Sequence, residues 1–155
     1  MMPRIATIGV YGFTAEEFLA TLLEHGVTEL VDVRQRRGVR GAEYAWANAK
    51  RLQGALAEVG IAYRHLPELA PTTELRELQY AQDAKTGVGK RDRERISPAF
   101  AKAYLAQILE PAGAPELPER GLAALFCVER DPEACHRSLI ADAVGGDVLH
   151  LRPAT

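Results

Sequence analysis

Apolar and polar positions follow two rhythms along this chain. Short runs rich in β-branched and apolar residues recur at Arg4–Val10, Glu29–Arg34, Ile61–Leu66, Leu122–Val128 and Asp147–Leu151, each of strand length. Between them the apolar spacing becomes helical. Thr14-Ala-Glu-Glu17 has the form of a capping box; Phe18, Leu19, Leu22 and Leu23 follow on one face, and Gly26 stops the helix. A second helix is predicted from about Tyr44 to Val59, with Ala45, Leu52, Leu56 and Val59 inward and Gly60 as its stop. Leu75, Leu78, Gln79 and Tyr80 suggest a third. Ser97-Pro98 opens a fourth, with Phe100, Tyr104, Leu105 and Ile108 on its apolar face. Pro111 to Gly121 reads as a loop. The last helix begins at Asp131-Pro132 or nearer Ala134, turns Leu139, Ile140, Ala143 and Val144 inward, and ends at Gly145-Gly146.

Strands that alternate with helices predict an α/β fold: a single domain over 1–155 with a mainly parallel five-stranded sheet and helices on both faces. Leu122–Val128 is apolar on both sides and so is expected at the sheet centre. A helical, charged insertion is expected at about 71–110, including the turn Lys85–Arg95, whose two glycines would permit a lid. In parallel sheets ligands bind beyond the strand carboxyl ends. That rim gathers the unusual polar residues: Tyr11 after strand one, Asp32 and Arg34 on strand two, Tyr63, His65 and Glu68 around strand three, Cys127 and Glu129 after strand four.

Bulk properties narrow the function classes. The chain has 155 residues, 26% of them charged, and a formal net charge of −2, so a polyanion could be held by a local basic patch but not by overall charge. No apolar run approaches the ~20 residues of a membrane span. The opening residues run straight into a strand pattern without signal-peptide anatomy, so a cytoplasmic protein with no membrane partner is expected. In that compartment the two cysteines are expected as thiols rather than a structural disulfide. There is no glycine-rich dinucleotide fingerprint and no Walker-type loop, so no cofactor is assigned. The sequence sets no oligomeric state, although nothing in it opposes a homodimer.

The densest chemistry lies in Cys127-Val-Glu-Arg-Asp-Pro-Glu-Ala-Cys-His-Arg137, which holds both cysteines of the chain. Three readings stay open. Cys127 is a nucleophile at a strand end; or Cys127, Cys135 and His136 form a metal or thiol-redox site, although no C-x2-C zinc spacing is present; or the cysteines are small core residues beside a working His136 and Arg137. Glu129 is the first choice for a general acid/base. The loop Arg34-Gln-Arg-Arg-Gly-Val-Arg40 carries four arginines in seven residues and suits phosphate. Asp32 is placed to orient a neighbouring arginine. Tyr44 and Trp46 are either stacking surfaces or helix packing.

The motifs Thr7-Ile8-Gly9, Asp32-Val33-Arg34, Gly60-Ile61-Ala62-Tyr63, Pro67-Glu68-Leu69, Cys127-Val-Glu129 and Cys135-His136-Arg137 resemble the domain-of-unknown-function 488 family over nearly the whole chain. The resemblance implies a small α/β domain with its site at those motifs, and it supplies no reaction. Val10-Tyr11 stand where many members have His-Ser, and Ala70 where many have glycine. A fainter likeness to rhodanese-type domains rests on Asp-Val-Arg and a cysteine-to-arginine loop. Here that loop is longer and acidic, and the C-x5-R spacing of cysteine phosphatases is absent.

These readings lead to an expectation of an enzyme, a hydrolase or transferase, acting on a phosphate-bearing substrate of nucleotide or nucleic-acid origin. Cys127, Glu129, His136 and Asp32 are the catalytic candidates. Arg34, Arg36, Arg137, Tyr11, Tyr63, His65, Glu68 and Cys135 are the substrate-binding candidates, and no residue is assigned to a metal. The alternatives are a non-catalytic nucleic-acid-binding module that uses Arg36, Arg37, Arg40 and the Lys85–Arg95 loop, and a metal or thiol-redox site at Cys127, Cys135 and His136.

Overall fold

A computed structural model describes residues 3–87 and 95–154. Five strands, β1 (Ile5–Ile8), β2 (Val27–Asp32), β3 (Ala62–His65), β4 (Leu122–Phe126) and β5 (Val148–His150), form one sheet in the order β3-β2-β4-β1-β5. Every pairing is parallel, as the strand–helix alternation requires. All five residues of β4 are buried, in line with its predicted central place. The sheet order is what the sequence could not supply. The chain steps from β1 across to β2 and β3, then returns to insert β4 between β1 and β2 before ending at β5. Right-handed crossovers therefore put α1 (Ala15–Glu24) and α2 (Ala49–Glu58) on one face and the later helices on the other.

The predicted capping box is present: Glu17 N–H donates to Thr14 Oγ1 at 3.2 Å while the Glu17 carboxylate receives the Thr14 N–H. Phe18 and Leu22 are buried, but Leu23, which shares their apolar stripe in the sequence, is half exposed, because the face of α1 that meets the sheet is narrower than that stripe. Phe18 lies edge-on to Phe126 of β4 and against Trp46, so the indole serves packing.

Two helices begin later than predicted. The segment from Tyr44 opens with a 3-10 turn, Ala45–Ala47, and Asn48 then adopts extended angles before α2 starts. Asn48 Oδ1 receives the Val39 N–H at 2.6 Å, which ties the arginine loop to the start of α2. At the chain's other end Pro132–Ala134 forms one 3-10 turn, Cys135 is extended, and α6 (Arg137–Val144) begins after His136. That shift turns Arg137, Ile140 and Ala141 into the core and leaves Ala143 exposed.

The expected insertion is helical: α3 (Thr73–Thr86) and α4 (Pro98–Tyr104), the latter continuing through a π-helical segment, Leu105–Leu109, into α5 (Glu110–Ala112). Helix therefore carries on past Pro111, where a loop was expected; the π register lies just before this proline, which cannot donate a helical hydrogen bond. Leu75 is buried, whereas Leu78, Tyr80 and Leu105 are exposed. Most of the turn proposed as a lid, residues 88–94, lies outside the described residues.

Candidate active site

The carboxyl ends of β1, β4 and β2 lie side by side, and the chain leaves β4 toward the opposite face from the other two. This is a topological switch point, where a crevice must open. Backbone bonds carry the pairing past the strand ends. Cys127 N–H donates to Ile8 O at 3.3 Å, Val33 N–H to Phe126 O at 3.1 Å, and Val10 and Tyr11 both donate to Val128 O. Cys127 is thus held between two neighbouring strands.

The following loop is closed by Arg137. This guanidinium is fully buried and donates to the carbonyl oxygens of Glu129 at 2.7 Å and Arg130 at 3.1 Å. The loop also presses on Gly9, where a Cβ would overlap the Glu129 carbonyl. The glycine after β1 is therefore a matter of close approach rather than of turn geometry.

Inside the loop three side chains converge. The ligand atoms of Cys127, Cys135 and His136 all lie within 4.8 Å of one another, with His136 Nδ1 at 3.8 Å from Cys127 Sγ and 3.7 Å from Cys135 Sγ. His136 Nε2 lies 2.8 Å from the carbonyl oxygen of Val33, which can only accept, so Nε2 carries a proton and Nδ1 faces the sulfurs. The chemistry of the donor set suits a soft divalent cation.

The two thiols are not equivalent. Burial pushes Cys135 up, but its hydrogen bond with Cys127 and the positive charges of His136 and Arg137 outweigh this and hold it well below the usual cysteine range. Cys127 moves the other way, driven up by burial and then by its hydrogen bond and charge repulsion with Cys135. Burial alone would lower His136; the Cys135 charge and hydrogen bond and the Val33 carbonyl raise it instead. The three groups thus favour negative charge on Cys135, positive charge on His136 and a retained proton on Cys127. Tyr104 packs at 5.4 Å from the His136 ring; burial followed by the charges of the two cysteines raises its phenol far above the ordinary value, and it donates to Leu69 O at 2.6 Å.

Asp32 and Arg34 form a buried pair behind this cluster. Arg34 Nε and Nη2 grip the two carboxylate oxygens at 2.9 and 2.8 Å, and Nη1 donates to Ala47 O at 2.9 Å. Its guanidinium also lies 4.6 Å above the ring of Phe126. Tyr63 completes the pair by donating to Asp32 Oδ2 at 2.5 Å. Asp32 orients an arginine, as its spacing suggests, and the arginine is spent on Asp32 and backbone.

A cleft of about 620 Å³ opens over the cluster. Cys127, Glu129, Cys135 and His136 form its floor, with Arg34 and Tyr11 beside them, and Arg36, Arg40 and Arg76 stand around its mouth. Of the residues expected to meet a substrate, Tyr11, Arg34, Arg36 and Cys135 line the cleft, while Arg137, Tyr63, His65 and Glu68 do not; nor does Asp32. His65 Nε2 instead lies 3.3 Å from the Arg34 carbonyl, and Glu68 is exposed. Sequence reasoning missed Arg76, Gln79 and Tyr80, which α3 brings to the cleft wall. Arg76 bonds Gln35 and the Tyr80 hydroxyl. One arginine among the charges of a helix carries no signal of that placement.

The molecule is thus an all-parallel α/β protein with a cysteine–histidine cleft at its topological switch point. The chain belongs to the DUF488 family, a domain of unknown function, whose family model matches residues 14–144. No curated protein and no solved structure matches it significantly. Among the described residues no helix is long and apolar enough to cross a membrane.

Proposed function

We propose that this protein is a cytoplasmic enzyme, a hydrolase or transferase, acting on a phosphate-bearing substrate of nucleotide or nucleic-acid origin. One observation carries the reading: a buried Cys–Cys–His–Glu floor lies at the bottom of a cleft whose mouth bears the exposed arginines Arg36 and Arg40, with Arg76 beside them. Arginine forks suit phosphate oxygens, and a thiol–imidazole–carboxylate floor suits bond cleavage rather than mere adhesion. In this reading Arg36, Arg40 and Arg76 grip phosphate, while Arg34 and Arg137 position the walls from behind. Glu129 accepts the proton of the attacking group and returns it to the leaving oxygen. His136 is less suited to that relay because both of its nitrogens are engaged. Two neighbouring free thiols accord with a reducing compartment.

The test is a thermal-shift and turnover screen of inorganic phosphate, nucleotides and short oligonucleotides on the wild type and on a doubly substituted Arg36→Ala/Arg40→Ala protein. A phosphate compound that stabilises and is consumed by the wild type, and loses both effects in the variant, supports the reading. Binding of oligonucleotides with steep salt dependence and no turnover would replace it with a nucleic-acid-binding module. No response to any phosphate compound would overturn both.

A further inference from the structure

We infer that Cys127, Cys135 and His136 bind one zinc-type divalent cation through three protein ligands, with a fourth position open to the cleft. The geometry is the first reason. A tetrahedral zinc with sulfur at ~2.3 Å and nitrogen at ~2.0–2.1 Å sets sulfur and nitrogen about 3.6 Å apart. The two sulfur–nitrogen separations here are 3.8 and 3.7 Å. Small side-chain adjustments would thus seat the ion without moving backbone.

The tautomer is the second reason. Metal-ligating histidines commonly donate their other ring N–H to a carbonyl or carboxylate, which fixes the ring and aims the lone pair. The Nε2 contact to the Val33 carbonyl at 2.8 Å does this, and Nδ1 is the nitrogen that faces both sulfurs. The third reason is rigidity and access. Cys127 is tied by its backbone to β1, and Cys135 and His136 lead directly into α6, so the ligands are held on the fold rather than on a mobile tail. All three also line the cleft. Three protein ligands with an open fourth position distinguish a catalytic zinc from a closed structural one, and this accounts for the missing C-x2-C spacing. The charge of the ligand set would also balance, two thiolates against a divalent ion.

The catalytic sense of the site rests on the function proposed above; the metal site itself does not. In that sense Cys127, Cys135 and His136 would hold the ion, the ion would supply an acidified water, and Glu129 would take the proton of that water as its oxygen adds to phosphorus. The bond from phosphorus to the leaving oxygen breaks, and that oxygen takes the proton back, so no oxidant or reductant is needed.

The test starts from purified, reduced, metal-free full chain titrated with cobalt(II). One equivalent bound with a thiolate-to-cobalt charge-transfer band is expected, abolished in Cys127→Ser and Cys135→Ser and weakened at least tenfold in affinity in His136→Gln, with circular dichroism confirming the fold of each. Should the variants not fold, X-ray absorption on zinc-loaded wild type decides: two sulfur donors and one nitrogen support the site, and an all-oxygen shell overturns it. Absence of stoichiometric binding, or a reversible Cys127–Cys135 disulfide in place of it, also overturns the inference. Metal binding without turnover of any phosphate compound keeps this site and removes the proposed function. Turnover of a phosphate compound by the metal-free enzyme would keep the proposed function and overturn the catalytic sense of the site.

Discussion

The imidazole of His136 donates its Nε2 proton to the carbonyl oxygen of Val33 at 2.8 Å, so a backbone atom just beyond β2 decides which ring nitrogen meets the two sulfurs. That bond joins the loop after β4 to the strand beside it, and it fixes the protonation logic of the cluster.

From this follows an ordering of thiol reactivity. In metal-free protein Cys135, whose thiol is held well below the ordinary range, alkylates faster than Cys127 at neutral pH. As pH falls from 9 its rate declines less steeply than that of an ordinary thiol, which slows about tenfold per unit below its pKa. His136→Gln removes a positive charge and restores that slope. Peptide mapping of iodoacetamide labelling against pH checks both; faster labelling of Cys127 would contradict the assignment.

The Asp32–Arg34 pair is a stability element. Asp32→Ala leaves a buried guanidinium without its counter-charge and should cost about 3–5 kcal/mol. Tyr63→Phe removes one hydrogen bond to the same carboxylate and should cost about 1–3 kcal/mol. Urea unfolding measures both, and a neutral Asp32→Ala would show that the pair does not hold the wall.

Gly9 and Gly54 make a matched contrast. Gly9→Ala drives a methyl into the Glu129 carbonyl and should cost at least 1–3 kcal/mol while displacing the loop that carries the cluster. Gly54 lies in α2 with open space around it, and Gly54→Ala should stabilise by about 0.5–1 kcal/mol. Melting temperatures of the two variants should move in opposite directions.

His150 sets a pH dependence of stability. Burial, and then the positive charge of Arg137, lower its pKa below 6.5 in the fold, where Nδ1 lies 2.7 Å from Thr7 Oγ1. Below pH 6.5 the unfolded chain takes up this proton more readily, so the stabilising contribution is present above 6.5 and is lost as pH falls through the folded value. The melting temperature should drop across that interval, and His150→Gln should flatten the drop. An unchanged profile would assign the acid sensitivity elsewhere.

The family resemblance, the parallel α/β architecture and the central place of Leu122–Phe126 were legible in the sequence because they depend on local patterns: periods of two and 3.6, caps, and an apolar run too long to face water on either side. The rim was legible too, since Asp32, Cys127 and Glu129 fall at strand ends and parallel strands share one carboxyl edge. Less was legible where contacts between distant segments decide. Arg34 and Arg137 read as anion grips, but burial leaves their donors to Asp32 and to the Ala47, Glu129 and Arg130 carbonyls. Arg76 reaches the cleft because α3 packs across its wall, and no spacing announces that.

What the sequence by itself determined was the set of elements and the residue types that end at one edge of the sheet. What only the tertiary structure decided was their company: β4 inserted between β1 and β2, His136 turned by Val33, and two cysteines eight positions apart brought together over one imidazole. The reason is physical. Periodicity is a property of neighbouring residues, whereas strand order, burial of charge and the aim of a ring nitrogen are settled by segments about a hundred residues apart, as Val33 and His136 are.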